Sequence, residues 1–352
     1  MGCVVDSDCM SGVCDATVGT CVDEGAVLYA APAGAGTSCT QSNPCAIATA
    51  VSLVDVTRDT LKLASGTYNA NIVIADKRVV VHGANATLTS TSGSTLTAKN
   101  RARLRVLDLT IVASGASAKS FECLNGVDAP FVELDNVTLD AMSNPIASGG
   151  PCTLTITRSR LNVRSSASLI LAGSGADVSI DRSLLGGAGG GGILSSAAII
   201  RIKNSVISDQ SATGGFSGIA GVGGGVLISY STIVNSNMTC GNGSAASCNG
   251  TLNGVCLDNS IVFATTGTNV ISSPSCSANH TLLSPQSIQV GSTNLLGVDP
   301  AFVSQGTGDF HLQAGSPALD KGDPTVVNPI DFDGTSRPQG AAADLGAFER
   351  VP

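Results

Sequence analysis

Aliphatic and polar positions recur along residues 81–262 in one short phrase. An aliphatic residue is followed by two mostly polar or small ones, then usually a Ser or Thr, one variable residue and a second aliphatic. It reads Leu107-Asp-Leu-Thr-Ile-Val112, Leu134-Asp-Asn-Val-Thr-Leu139, Ile156-Thr-Arg-Ser-Arg-Leu161, Ile180-Asp-Arg-Ser-Leu-Leu185, Ile202-Lys-Asn-Ser-Val-Ile207, Ile228-Ser-Tyr-Ser-Thr-Ile233 and Leu257-Asp-Asn-Ser-Ile-Val262. The starts lie 27, 22, 24, 22, 26 and 29 residues apart, too close for domains and suited to the rungs of a solenoid. Each rung holds two or three strands of three to five residues, separated by Gly, Ser, Asn and Asp turns. Stacked about 4.8 Å apart, such rungs place equivalent positions in columns. The sixth position of the phrase predicts an internal aliphatic stack from Val112 to Val262. The fourth, mostly Ser, predicts an internal hydroxyl ladder beside a turn.

The flanks have different patterns. Apolar residues at Ile47, Ala50, Val51 and Val54 have helical spacing and predict a short helix covering the edge of the first rung. Strands follow at 61–63, 72–74 and 79–81. The expected architecture is all-β, a right-handed parallel β-helix. Residues 1–25 form a disulfide-rich leader, 26–58 a strand, loop and capping helix, 59–300 the β-helix, and 301–352 a C-terminal loop cap. Gly-rich runs at 186–192 and 214–225 read as tight turns or close-packed rungs, since no phosphate-loop Lys follows. An Asn- and Gly-rich stretch at 236–254 reads as a projecting loop.

Charge and cysteines narrow the classes. Charged residues are 12% of the chain and the formal net charge is −8, which disfavours nucleic acid and anionic membranes as partners. No apolar run approaches the roughly 18 residues of a membrane span. Twelve cysteines fall in short-range groups: Cys3, Cys9, Cys14 and Cys21; Cys39 and Cys45; Cys123 and Cys152; Cys240 and Cys248; Cys256 and Cys276. Six disulfides and an extracellular protein, secreted or surface-attached, follow from their even number and lack of zinc-ligand spacing. Four cysteines in the leader allow three connectivities, of which Cys3–Cys14 with Cys9–Cys21 is favoured.

Three stretches resemble known families. Leu63-Ala-Ser-Gly-Thr-Tyr68 after a helix is similar to the opening coil of bacterial β-helix proteins of the pectin-lyase-like superfamily. The leader resembles the Asp-rich four-cysteine segments of secreted myxobacterial proteins. The tail, with Asp331-Phe-Asp-Gly-Thr-Ser-Arg337 and Asp344-Leu-Gly-Ala-Phe-Glu349, resembles the ending of choice-of-anchor Q β-helix proteins. That resemblance implies a secreted β-helix whose function is mostly undetermined.

Candidate chemistry is sparse. Of the motifs of β-helical hydrolases, which use clustered Asp residues, this chain has Arg201-Ile-Lys203 alone. A lyase needs a base beside a cation-neutralised carboxylate. The candidates are Arg158, Arg182, Lys203 and Asp181, on consecutive rungs. Columns set Arg158 beside Arg182 and Asp181 beside Lys203. With Arg160, Arg164, Arg201 and Tyr230, expected exposed, they form a strip suited to an acidic glycan; a ladder of cross-rung ion pairs is the simpler reading. No cofactor is expected. Calcium is the ion for which Asp6, Asp8, Asp331 and Asp333 are candidates, although the leader acids lack the full ligand set of a calcium loop and Arg337 pairing with tail acids explains the others as a pin across the last rung. With no Trp and three Tyr, the chain is poor in sugar-stacking rings. The expected function is a non-enzymatic scaffold or adhesin-like surface binding polysaccharide or surface protein. A polysaccharide lyase or hydrolase is the alternative, and ice binding ranks last for want of Thr columns.

Overall fold

The computed structural model describes residues 2–15, 18–124, 126, 128–165, 167–187, 192–208, 219–235, 254–265, 271, 276–286, 292–326 and 328–352. Most of 236–254, with Cys240 and Cys248, lies outside the described residues, as do parts of both Gly-rich runs. The chain is an all-β, right-handed parallel β-helix of three sheets. The first runs from Val27–Ala30 and Thr60–Leu63 through Phe131–Asp135, Cys152–Thr157 and Ala176–Asp181 to Gly254–Asp258 and Ser277–Asn279. The second stacks Thr138–Ala141, Arg160–Val163, Leu184–Gly186 and their successors as far as Leu295–Leu296. The third stacks seven strands from Ile72–Ala75 to Ile219–Val222. Every pairing between successive rungs is parallel, so each strand meets its counterpart one turn later.

In the first sheet the inward column Val132, Leu154, Val178, Ile200, Val226, Val255 alternates with an outward column that is polar from Glu133 to Arg201 and continues as Leu227 and Cys256. One core cluster extends from Leu28 to Leu283. The aliphatic column in the second sheet is Ile111, Leu139, Leu161, Leu185, Ile207, Ile233, Val262. The expected Val112 is one residue off: it pairs with Asp140 and points outward, because Val106 and not Leu107 aligns with Leu134. Two adjacent aliphatics, Val106 and Leu107, left the parity open; the corner at Asp108 sets it.

That corner joins the first sheet to the second through one left-handed residue per rung: Asn85, Asp108, Asn136, Arg158, Arg182, Asn204, Tyr230, Asn259 and His280, with φ between 41° and 62°. The next residue turns inward. From Ser159 to Ser260 each Ser Oγ donates to the carbonyl two residues earlier and accepts the backbone N–H of the preceding rung. The ladder starts at Val137 N–H, which donates to Ser159 Oγ at 3.0 Å, and the hydroxyl column ends at Thr281. Burial strips these groups of water, so the hydroxyls supply the partners that the bent backbone lacks. Gly187 and Gly224 sit where a Cβ would lie 2.1 Å from Val163 O and 2.3 Å from Ala198 O, so rung contact excludes a side chain there.

The helix Ile47–Ser52 buries Ile47 and Ala50 against the first rung, below a loop closed by Cys39–Cys45. The leader carries Cys3–Cys14 and Cys9–Cys21, and Cys123–Cys152 crosses one rung. No Cys256–Cys276 bridge is among the disulfides joining described residues. Cys256 pairs with Ser277, so Cys276 is one position out of step and its side chain points to the opposite face. Cys276 is itself disulfide-bonded.

The tail runs back along the flank of the C-terminal rungs. The hairpin Phe302–Ser304 and Asp309–Leu312, with Leu345, Ala347 and Phe348, packs on Val206, Val234, Ile261 and Leu282, the outward face of the second sheet.

Candidate binding face

Outward positions of the first sheet, with the corner residues, carry most of the predicted strip. Side chains there are placed by alternation along the strand and by the left-handed corner, which swings Arg158 and Arg182 away from the core. Asp181 lies opposite Lys203, and Arg158 and Arg182 share the corner column. Arg158 holds Asp135 of the preceding rung through two nitrogens, with Nε at 2.9 Å. Arg164 grips Asp140 in the same way, with Nε at 2.7 Å. Arg201 pairs with Asp177. Lys203 and Arg182 both approach Asp181, at 3.6 and 3.8 Å. The Arg182 Nε is buried without a hydrogen-bond partner among the described residues. Arg160 is exposed and, among the described residues, in no ion pair. Burial works to raise the Asp135 pKa, but the Arg158 and Thr157 hydrogen bonds outweigh it and hold the carboxyl below its usual range. The bond to Asp140 raises Arg164 above an ordinary arginine. Asp135 is thereby a weaker base than an ordinary aspartate and Arg164 holds its proton more firmly, so neither is tuned to abstract one.

Tyr230 departs from expectation. It is 1% exposed, buried at its corner beneath the tail, with the Arg337 guanidinium 4.8 Å over its ring and its hydroxyl donating to Val326 O at 3.2 Å. A partner 96 residues away in sequence covers it, so it offers no surface for a ligand. Desolvation pushes its pKa up to about 12. Arg337 donates to Asp344 O at 2.8 Å and Gly346 O at 2.9 Å and meets Glu349 at 3.4 Å. The predicted pin exists, but its anchor is Tyr230, well before the last rung.

The four calcium candidates lie in two places. Asp6 accepts from Cys14 N–H at 2.8 Å and pairs with Lys62, docking the leader on the first sheet. Asp8 accepts from Val4 and Val5 N–H. Asp331 accepts from Thr335 and Glu349 N–H, at 2.7 and 2.8 Å. Asp333 meets His311 Nε2 at 2.8 Å. Among the described residues, the one group of three or more His, Cys, Asp or Glu ligand atoms within 4.8 Å of one another is Cys3, Cys9 and Cys14, whose sulfurs are in disulfides.

In the third sheet Glu122 is the only carboxylate of the seven strands, held by Ser94 Oγ at 2.6 Å and by Lys119.

The fold of the chain is similar to that in the crystal structure of pectate lyase Pel9A, with a TM-score of 0.61, covering 95% of this chain and 98% of that one at 15% identity. The likeness is one of fold. No family model and no curated protein matches the chain.

One further feature of this β-helical frame lies outside the predicted strip. A cleft of about 500 Å³ opens between the leader and the first sheet, with Arg78, Arg103, Arg105, His82, Phe131 and Glu133 on the sheet side and Asp15 and Val22 on the leader side. Its signal is the alternation Arg101-Ala-Arg103-Leu-Arg105, which sets two arginines on one face of a strand. His82 is buried and lies 3.7 Å from Asp6; desolvation outweighs that carboxylate and lowers its pKa.

Proposed function

We propose that the protein is a secreted, non-enzymatic β-helix scaffold that binds glycan or protein partners along the outward face of its first sheet. The observation that carries this reading is the neutralisation of the strip. Five of its six cations, all but Arg160, face carboxylates on their own or a neighbouring rung. Such a face is rigid and patterned, suited to recognition, and offers no base poised to remove a proton. Secretion rests on the disulfides, and the tail motif supports membership of the choice-of-anchor Q group. The fold shared with a pectate lyase motivates the alternative, polysaccharide cleavage, and fold alone does not carry an activity.

The test is a glycan array and a pull-down with the purified chain, run beside assays for unsaturated and reducing ends on acidic and neutral polysaccharides. Retention of partners without new chain ends is expected. Sustained release of unsaturated ends, abolished by Lys203→Ala or Arg182→Ala, would overturn the reading in favour of a lyase.

A further inference from the structure

We infer that the cleft beneath the leader is a subsite for a sulfate ester on a glycan, with Arg103 as its principal contact and Asp15 as a built-in competitor. The inference deepens the reading of the protein as a glycan-binding scaffold and rests on it. Arg78 and Arg103 lie directly opposite each other on adjacent rungs, about 4.8 Å apart along the stack. Arg105 follows two residues along the strand on the same face. Like charges in register are destabilising unless something neutralises them. Arg78 has Asp59. Arg105 has Glu133 at 3.5 Å and Asp15 at 3.7 Å, both longer than an ordinary charge-assisted hydrogen bond. Arg103, exposed, has no carboxylate among the described residues and lies 5.5 Å over the Phe131 ring.

The donor set favours a tetrahedral oxyanion. A carboxylate presents two oxygens, whereas a sulfate ester presents three, matching three guanidinium forks that rise from neighbouring positions on one face. The cleft is far larger than a free anion, and Val22, Val80, Leu107 and Phe131 give it an apolar wall against which the C–H face of a sugar ring can rest. Asp15 belongs to the leader. A sulfate that displaces it from Arg105 leaves the leader tied by Asp6 to Lys62 and by Tyr29 Oη, which donates to Ser11 O at 3.0 Å.

The experiment is calorimetric titration of the full chain with a heparin-derived octasaccharide, the same octasaccharide desulfated, and an oligogalacturonate bearing carboxylates alone. Sulfate-dependent binding is expected. Arg103→Gln should weaken it by about tenfold or more, the loss of one charged hydrogen bond. Arg103→Lys should restore part of it, Asp15→Asn should tighten it, and Lys321→Gln, at an exposed position of the C-terminal tail, should leave it unchanged, with thermal melts confirming that each variant folds. Equal affinity for the desulfated chain, or undiminished binding by Arg103→Gln, overturns the subsite. Displacement by inorganic phosphate and not by sulfate would overturn the sulfate assignment in favour of a phosphate ester. If the array still retains glycans in the first two cases, the scaffold reading stands and only the subsite falls. Retention of nothing by the array or the pull-down removes both.

Discussion

At the scale of single residues, the corner and the ladder beside it meet opposite demands. The corner needs a left-handed backbone, which costs a residue with a Cβ roughly 1–2 kcal/mol and which Asn tolerates best. Asn136, Asn204 and Asn259 satisfy it, while Arg158, Arg182 and Tyr230 bear the strain. The two arginines differ in compensation, since Arg158 makes a two-nitrogen bond to Asp135 and Arg182 has only a loose 3.8 Å contact and a buried unpartnered Nε. Arg182→Asn is therefore expected to raise stability by about 0.5–1 kcal/mol in urea denaturation, and Arg158→Asn to leave it level or lower it. Equal shifts in both would mean that the ion pair contributes nothing. Ser205→Ala removes the acceptor of Ser183 N–H at 3.1 Å and a donor to Lys203 O at 2.7 Å in a fully buried site. It should cost about 1–3 kcal/mol; a shift within error would show that neighbouring groups or water replace the hydroxyl.

At the scale of elements, the hairpin 302–312 is tied to the tail by a titratable clasp. His311 Nδ1 meets Asp309 at 2.6 Å and Nε2 meets Asp333 at 2.8 Å, with the ring 4.1 Å from Phe348. Burial works to lower the His311 pKa, but the hydrogen bonds the ring donates to Asp333 and Asp309 outweigh it and the net shift is upward. A raised histidine stabilises the fold fully below its unfolded pKa of about 6.5 and loses that contribution as pH rises through the higher folded value. Because the group is nearly half exposed, the effect should stay below about 1 kcal/mol. Melting temperatures compared between wild type and His311→Gln should converge as pH rises above that window; a constant difference would rule out the clasp. The strands, rungs, helix and hydroxyl ladder were legible because their determinants are local: alternation, a left-handed corner and a Ser after it. The slip at Val106/Leu107 arose where two aliphatics made the parity ambiguous. Tyr230 was misplaced, and the cleft missed, because what covers or faces them comes from far along the chain: Arg337 and Val326 in one case, Asp15 in the other.

At the scale of the whole molecule, each rung touches only its neighbours, so stability is close to a sum of rung and interface contributions and the ends are the weak points. The N-terminal end has the helix Ile47–Ser52, the Cys39–Cys45 loop and the docked leader. The C-terminal rungs depend on the tail as a lateral strap. Asn328 meets Asn204, Val326 takes the Tyr230 hydroxyl, Asp323 N–H donates to Asn259 at 2.6 Å, and Ala347 N–H reaches Thr232 at 3.0 Å. Arg337 holds this strap in its bent form through two carbonyls, Glu349 and the Tyr230 face, and both its own side chain and that of Glu349 are 1% exposed. Arg337→Ala leaves Glu349 buried without its cation and frees two carbonyls, a loss of about 3–5 kcal/mol. In a quasi-one-dimensional body that loss should be local. Hydrogen exchange on Arg337→Ala should show early opening of the rungs from Asn204 to Leu283, while those from Val79 to Ile180 keep wild-type protection. Uniform loss of protection along both groups would mean that the solenoid unfolds as one unit and that the strap's contribution is shared by every rung.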